Sequence, residues 1–477
     1  MPSVASDRAL LRRIVIAAGL GWALAFIVIG PAVRLQLYGD GAMFSYAVAT
    51  QDVWAFHWHN ISGRLTTYLL TMAPAEGVAA VTRNPIAAVT IYGLLLYAMP
   101  LIGLAATSIA DRSQGRVVFV FACASTAALC PLVFGFPTEM WLAHAWFWPA
   151  LAAAHYAQRG ARGSAAVFAT LLALAFSHEG GFVLAGAILA TLMLRGFYNG
   201  AFRRAARAFI AVVVLWIAVK AIFPPGPYYA DVYLRAALGF FDIEPLRSPL
   251  LILLVITVAG YALIAAMLRR VTASAPVYAV VVVLAGLVIY WLCFDQSLHA
   301  NNRYYMRTLL VVLTPLFGIP AALFALDADG RLLLARRLLA RAIGVLRALP
   351  PRAVAGVFAL VMLVHAVETV KFVAAWTGYK AAIERLASGP AADPALGDPR
   401  FVSSDRVEQK LNRLSWFSTT PYLSAVLADF KPARLVVDPS SNYFWLSCAT
   451  ATANLEATRV VPRDVRMLVR TYSCEHR

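Results

Sequence analysis

The sequence predicts an all-α polytopic membrane protein of about eleven transmembrane helices, with its amino end inside and its carboxyl end outside. Three observations carry this. Of 477 residues, 61% are hydrophobic and 14% charged, and the mean hydropathy is +0.71; that balance excludes a soluble globular chain. Apolar runs recur at 14–33, 86–110, 117–135, 141–157, 164–177, 181–194, 208–223, 249–268, 275–294, 308–326 and 353–374. Arginine alternates between the connections. With the amino end inside, the inner segments carry 19 positive residues and the outer ones, before the last run, only seven: Arg34, Arg64, Arg83, Arg235, Arg247, Arg303 and Arg307. The positive-inside bias selects this orientation.

The net charge of +17 is accounted for by these topology signals and by attraction to anionic head groups, so nucleic acid is not an expected partner and membrane lipids are. Arginine outnumbers lysine 36 to 5, as in a GC-rich bacterial genome. The expected location is therefore the bacterial inner (plasma) membrane, with the active site facing the periplasm or outside. The first run reads as a retained anchor, because more spans follow the weak cleavage-like Ala23-Leu24-Ala25. Cys123, Cys130 and Cys293 lie in apolar runs, whereas Cys448 and Cys474 fall in an outer tail where a disulfide is permitted.

Two domains are expected: a transmembrane part over 1–374, with a long first outside loop at 34–85, and an extracytoplasmic carboxyl-terminal part over 375–477. The first outside loop is the segment richest in chemistry. Asp40 stands between Gly39 and Gly41 just past the first run, followed by Asp52, His57, His59 and Arg64. The glycines allow a sharp turn and close approach to a ligand. From Phe44 onward the pattern suggests interfacial helices anchored by tryptophans.

The runs at 164–177 and 181–194 are parted by Ser177-His178-Glu179-Gly180-Gly181, and both flanks are arginine-rich. Both flanks inside means a hairpin. Arms of about 14 residues span roughly 21 Å, short of a ~30 Å hydrocarbon core, so the turn carrying His178 and Glu179 should sit below the outer surface. Backbone and a carboxylate at that depth are tolerated only where protein or a watery cavity lines them. Further along, the stiff Pro224–Asp231 connection offers Tyr228 and Tyr229 for stacking on a sugar face, or serves as a plain connector. The 294–307 loop offers His299, Arg303, Tyr304 and Arg307 at the outer mouth of spans nine and ten. Arginine's planar fork suits a phosphate. His144, beside Trp141, Trp146 and Trp148, reads as a buried structural histidine, and Lys220 as a snorkelling cation or a phosphate contact. The 375–477 tail, turn-rich at Gly389-Pro390 and Gly397-Asp398-Pro399, reads as a small mixed α/β or loosely folded outside domain.

An acidic residue in a long first outer loop, directly after the first span, resembles the GT-C superfamily of integral membrane glycosyltransferases. So does the plan of about eleven spans with a soluble carboxyl-terminal domain. The resemblance implies a polyprenyl-phosphate-linked sugar donor, a glycan, lipid or protein acceptor, and inverting transfer. Asp40, with Asp52 and Glu179 behind it, would be the catalytic carboxylate. His57, His59, Arg64, His178, Tyr228, Tyr229, His299, Arg303, Tyr304 and Arg307 would serve substrate binding. No cofactor is required; Mg²⁺ or Mn²⁺ remains open, because the paired acidic motifs of some branches are missing and a lone carboxylate fits either chemistry. The rival class is a secondary transporter or flippase for a lipid-linked or anionic substrate. Its expected matching halves are not visible in the sequence. A third class is a scaffold that binds through the tail.

Overall fold

A computed structural model shows a chain built almost wholly of helices. It describes residues 4–56, 61–135, 139–196, 199–224, 248–272, 274–294, 300–332, 343–345, 347–389, 398–416, 419–438 and 459–475, with 238, 452 and 455–456. In order, the larger elements are α1 (Val4–Ala32), α2 (Asp40–Thr50), α3 (Ala73–Thr82), α4 (Pro85–Ala110), α5 (Val117–Val133), α6 (Glu139–Tyr156), α7 (Ala161–Ala175), α8 (Gly180–Met193), α9 (Gly200–Ile222), α10 (Pro249–Leu268), α11 (Ala275–Ile289), α12 (Ala300–Ala328), α13 (Pro351–Ser388), β1 (Phe401–Ser403), α14 (Thr420–Leu427), β2 (Leu435–Val437) and α15 (Arg463–Glu475).

Each of the eleven apolar runs falls on one of these helices. Among the described residues seven are long and apolar enough to cross a membrane: α1, α4, α9, α10, α11 with its π-helical extension to Phe294, α12 and α13. The arms α7 and α8 have 15 and 14 residues, about 22 and 21 Å at 1.5 Å per residue, so they pair as a short hairpin. Local signals set several boundaries. Asn84 Oδ1 accepts the Ile86 and Ala87 N–H groups, both at 3.0 Å, and Pro85 occupies the first helical position of α4.

Contacts sort the connections into two ends. At one, Tyr156 donates to Asp329 at 2.8 Å, Arg347 meets Asp327 at 2.7 Å, and Arg352 meets Asp7 at 3.1 Å. Arg204 there donates to the carbonyls of Ala157 and Gln158 past the end of α6, where a cation suits the exposed carbonyls of a helix terminus. At the other end lie Asp40, Arg64, Glu139, Glu179 and Arg307. The first set comes from the arginine-rich connections and the second from the arginine-poor ones.

Between the two ends, α1 packs on α4, α5 and α13, while α12 packs on α5, α6 and α8. An aromatic layer seals the bundle near the second end. Phe26 lies 4.8 Å from Phe134 and 4.9 Å from Trp141, and Tyr38 stacks edge-on at 5.3 and 5.4 Å from Phe372 and Trp376. Phe26 is fully buried; truncating such a residue to alanine costs about 3–5 kcal/mol. The hairpin α10–α11 packs on α13 and turns Val255, Leu263, Val277 and Val281 outward, a surface suited to acyl chains and not to water.

In the tail, β1 pairs with β2 in parallel, Phe401 opposite Leu435, and α14 lies between them in sequence. Helix α13 runs unbroken for 38 residues, well past the apolar 353–374 run, so residues 375–388 extend a bundle helix into the tail. Helix α14 then seats on both α2 and α13.

Candidate functional site

Three carboxylates stand at helix starts on the same end of the bundle. Gly39, at φ 60°, turns the chain so that Asp40 opens α2; Glu139 opens α6; Glu179 precedes α8. Exposed N–H groups and the helix dipole favour negative charge at all three. Two arginines lie among them. Arg64 Nη1 donates to Glu139 Oε1 at 2.6 Å, while its Nη2 and Nε reach Glu179 Oε2 at 3.0 and 3.2 Å. Arg307 Nη1 stands 3.8 Å from Asp40 Oδ2, an ion pair that is too long for a hydrogen bond. The side chains of Arg64, Glu139 and Glu179 are only 12%, 7% and 15% exposed.

The hairpin tip explains why Arg64 is held there. The chain around 61–67 dips onto the α7–α8 turn, where the Thr66 N–H donates to the Phe176 carbonyl at 3.1 Å and the Thr67 hydroxyl to the Ser177 carbonyl at 2.9 Å. Two backbone carbonyls at the hairpin tip are thus satisfied by protein. Gly180 allows the close fit: a Cβ there would come within 2.9 Å of Met140 Sδ and of Val311 Cγ2. The His178 Nδ1 lies 3.8 Å from Glu179 Oε2 and accepts the Gly180 N–H at 3.0 Å. Lys220 sits over the Trp216 ring at 4.7 Å and within electrostatic reach of Glu179.

Asp40 is partly buried, its side chain 17% exposed. Burial pushes its carboxyl above the ordinary carboxylate range, against Arg307; Glu139 adds to the rise, while Arg64 and the nearby Trp416 side chain oppose it. An acid with raised proton affinity is a stronger base, once ionised, than an ordinary carboxylate.

The sequence-selected residues are therefore divided. Asp40, Arg64, His178, Glu179 and Arg307 are brought together. Asp52 is not among them: it lies past the far end of α2, about 16 Å along the helix at 1.5 Å per residue. There it accepts the Thr50 hydroxyl at 2.6 Å and is buried. Arg303 and Tyr304 lie on the backbone of α12, one turn before Arg307, with their side chains outside the described set. His57, His59, Tyr228, Tyr229, His299 and Cys448 lie outside the described residues. Cys474 is disulfide-bonded, and Cys123, Cys130 and Cys293 are free. His144 bonds the Ser125 hydroxyl at 2.9 Å and the Cys130 sulfur at 3.6 Å inside the bundle, the structural role that its tryptophan-rich run suggests.

Two residues escape the sequence reading. Glu139 was legible in principle, as the acid that opens the fourth run on its outer side. Trp416 had no local signal. Among the described residues no group of three His, Cys, Asp or Glu side chains is arranged to hold a metal ion; the guanidinium of Arg64 stands between the two glutamates.

Searches against protein-family models, curated proteins and solved structures found no match to this chain. Its class rests on its own features: it is a multi-pass helical membrane protein, with a buried cluster of charged side chains at one end of the bundle.

Proposed function

We propose that the chain is a membrane glycosyltransferase that moves a sugar from a polyprenyl-phosphate donor to an acceptor hydroxyl on the outer side of a bacterial inner membrane. The eleven helices cross with the arginine-rich end in the cytoplasm. The observation that carries the reading is the placement of Asp40: a partly buried carboxylate in the first outer loop, with raised proton affinity, facing Arg307 at 3.8 Å. The acceptor oxygen attacks the anomeric carbon as the bond from that carbon to the phosphate oxygen breaks. The polyprenyl phosphate leaves with the electron pair, and Asp40 takes the hydroxyl proton. Arg307, with Arg303 one turn away on α12, meets the charge that gathers on the departing phosphate. The 19-to-7 arginine asymmetry and the segregation of charged contacts to two ends support the orientation.

The test is sugar incorporation in membranes from a labelled polyprenyl-phosphate donor, with and without Mg²⁺ or Mn²⁺. Asp40→Asn keeps size and cannot accept the proton, so turnover should fall by about 10²–10⁴-fold with donor binding retained. Asp52→Asn, a helix length away, should lose far less. If wild type transfers sugar from no polyprenyl-phosphate donor, the transporter or flippase reading takes its place.

A further inference from the structure

At the arginine-rich end of the bundle, four exposed arginines gather where two helices begin. Helix α7 packs on both α6 and α9. Arg204 of α9 donates from Nη1 to the Gln158 carbonyl and from Nη2 to the Ala157 carbonyl, both at 3.1 Å. That staple sets the first turns of α9 against the chain that leaves α6 and enters α7. Arg159 and Arg162 lie on one side of it and Arg203 and Arg207 on the other, all exposed. Among the described residues, none of these four side chains has an ion-pair or hydrogen-bond partner. Between residues 139 and 222 the only acids are Glu139 and Glu179, both at the opposite end. Asp329, which reaches this end from α12, already accepts the Tyr156 hydroxyl and the Gln114 N–H at 2.8 and 3.0 Å.

The start of α7 suits an anion. Gly160, at φ 106°, is its cap, and no side chain bonds its first N–H groups, which are open donors at the positive end of the helix dipole. That dipole opposes the cation that Arg162 places in the first turn, so local helix energetics do not account for it. The inside bias asks for positive charge on this side, not for charge gathered at a helix start. From Arg204 and Arg207 an exposed stripe continues up one flank of α9 through Ala211, Leu215, Ala218 and Ile222, at steps of three or four residues. Its apolar part rises about 16 Å, roughly half of a ~30 Å hydrocarbon core. We propose that this end of the bundle binds an anionic phospholipid of the adjoining leaflet, its phosphate at the start of α7 between the two arginine pairs and an acyl chain along α9. The head group supplies the acceptor oxygens that the four guanidiniums lack, and the apolar stripe singles out a lipid over a free phosphate. The site lies at the opposite end from Asp40 and does not rest on the glycosyl-transfer reading.

The experiment is native mass spectrometry of the full-length protein in neutral detergent, titrated with dioleoylphosphatidylglycerol or dioleoylphosphatidylcholine. Wild type should retain phosphatidylglycerol in preference to phosphatidylcholine. Each arginine lost should weaken phosphatidylglycerol binding by about fivefold, so Arg162→Gln combined with Arg207→Gln should weaken it by roughly 25-fold. Phosphatidylcholine binding should not change. Arg269→Gln combined with Arg270→Gln removes the same charge from the exposed α10–α11 connection and should leave the preference in place. Should the first double variant fail to fold, Arg159→Gln or Arg162→Gln alone carries the comparison, at about fivefold. Equal losses in the two double variants would reduce the effect to net charge and overturn the site. Unchanged affinity in the α7 and α9 variants would do the same, as would equal retention of both lipids by wild type. Displacement of the lipid by inorganic phosphate would reassign the arginines to a free anion and overturn the lipid proposal.

Discussion

Replacing Arg64 by Met tests the central clamp. The substitution keeps much of the apolar stem and removes the guanidinium, leaving Glu139 and Glu179 at 7% and 15% side-chain exposure without the cation that joins them. Arg64 contributes one hydrogen bond at 2.6 Å to Glu139 and two, at 3.0 and 3.2 Å, to one oxygen of Glu179. At about 1.5–3 kcal/mol for a hydrogen bond to a charged group, counting one for each glutamate, the two sides come to ~3–6 kcal/mol. Removal of one partner from a buried pair costs about 3–5 kcal/mol, because the stranded charge must be neutralised or hydrated. We therefore expect a loss of about 3 kcal/mol, a more than hundredfold fall in the folded-to-unfolded ratio, measured by denaturant unfolding in mixed micelles with tryptophan fluorescence. A double-mutant cycle isolates the pairing. In a Glu139→Gln, Glu179→Gln background the same Arg64→Met change should cost under about 1 kcal/mol, since no buried charge is stranded. An effect of Arg64→Met within about 0.5 kcal/mol of wild type, the range of ordinary surface substitutions, would refute the clamp. So would an equal cost in both backgrounds.

Other perturbations separate the remaining elements. Asp40→Asn should raise stability at pH 7 while abolishing turnover. The folded pKa of Asp40 lies above its unfolded value, so folding favours the protonated form, and stability is lost as pH rises from the unfolded value to the folded one. A neutral side chain escapes that loss, and a melt at pH 7 that is lower for the variant would contradict the sign. Arg303→Ala should weaken donor use by about 1.5–3 kcal/mol, with only partial rescue by Lys, which lacks the fork; unchanged transfer kinetics would make 303 an interfacial anchor. Cysteine labelling from either side should place residues near 60, 230, 300 and 430 outside and those near 200 and 340 inside. Finding 331–352 outside would move every site residue to the wrong face.

The sequence by itself determined where the helices lie and which connections belong together. Hydropathy and arginine bias are properties of contiguous segments, and lipid imposes them on each segment separately. That is why the eleven runs fall on helices and why the short arms around His178 and Glu179 were legible as a hairpin. It also singled out Asp40, because a carboxylate between glycines at the end of a span is a local pattern. Partnership was not local. Arg64 read as a substrate-binding residue, yet its partners Glu139 and Glu179 lie 75 and 115 residues away, and the pairing exists only because the chain around 61–67 packs onto the hairpin tip. Asp52 stood close to Asp40 in sequence, and an intervening helix holds the two apart. Trp416 came near Asp40 from the opposite end of the chain. Only the tertiary structure decided these, because ion pairs and hydrogen bonds form within about 3–4 Å, and which groups come that close depends on how whole helices pack.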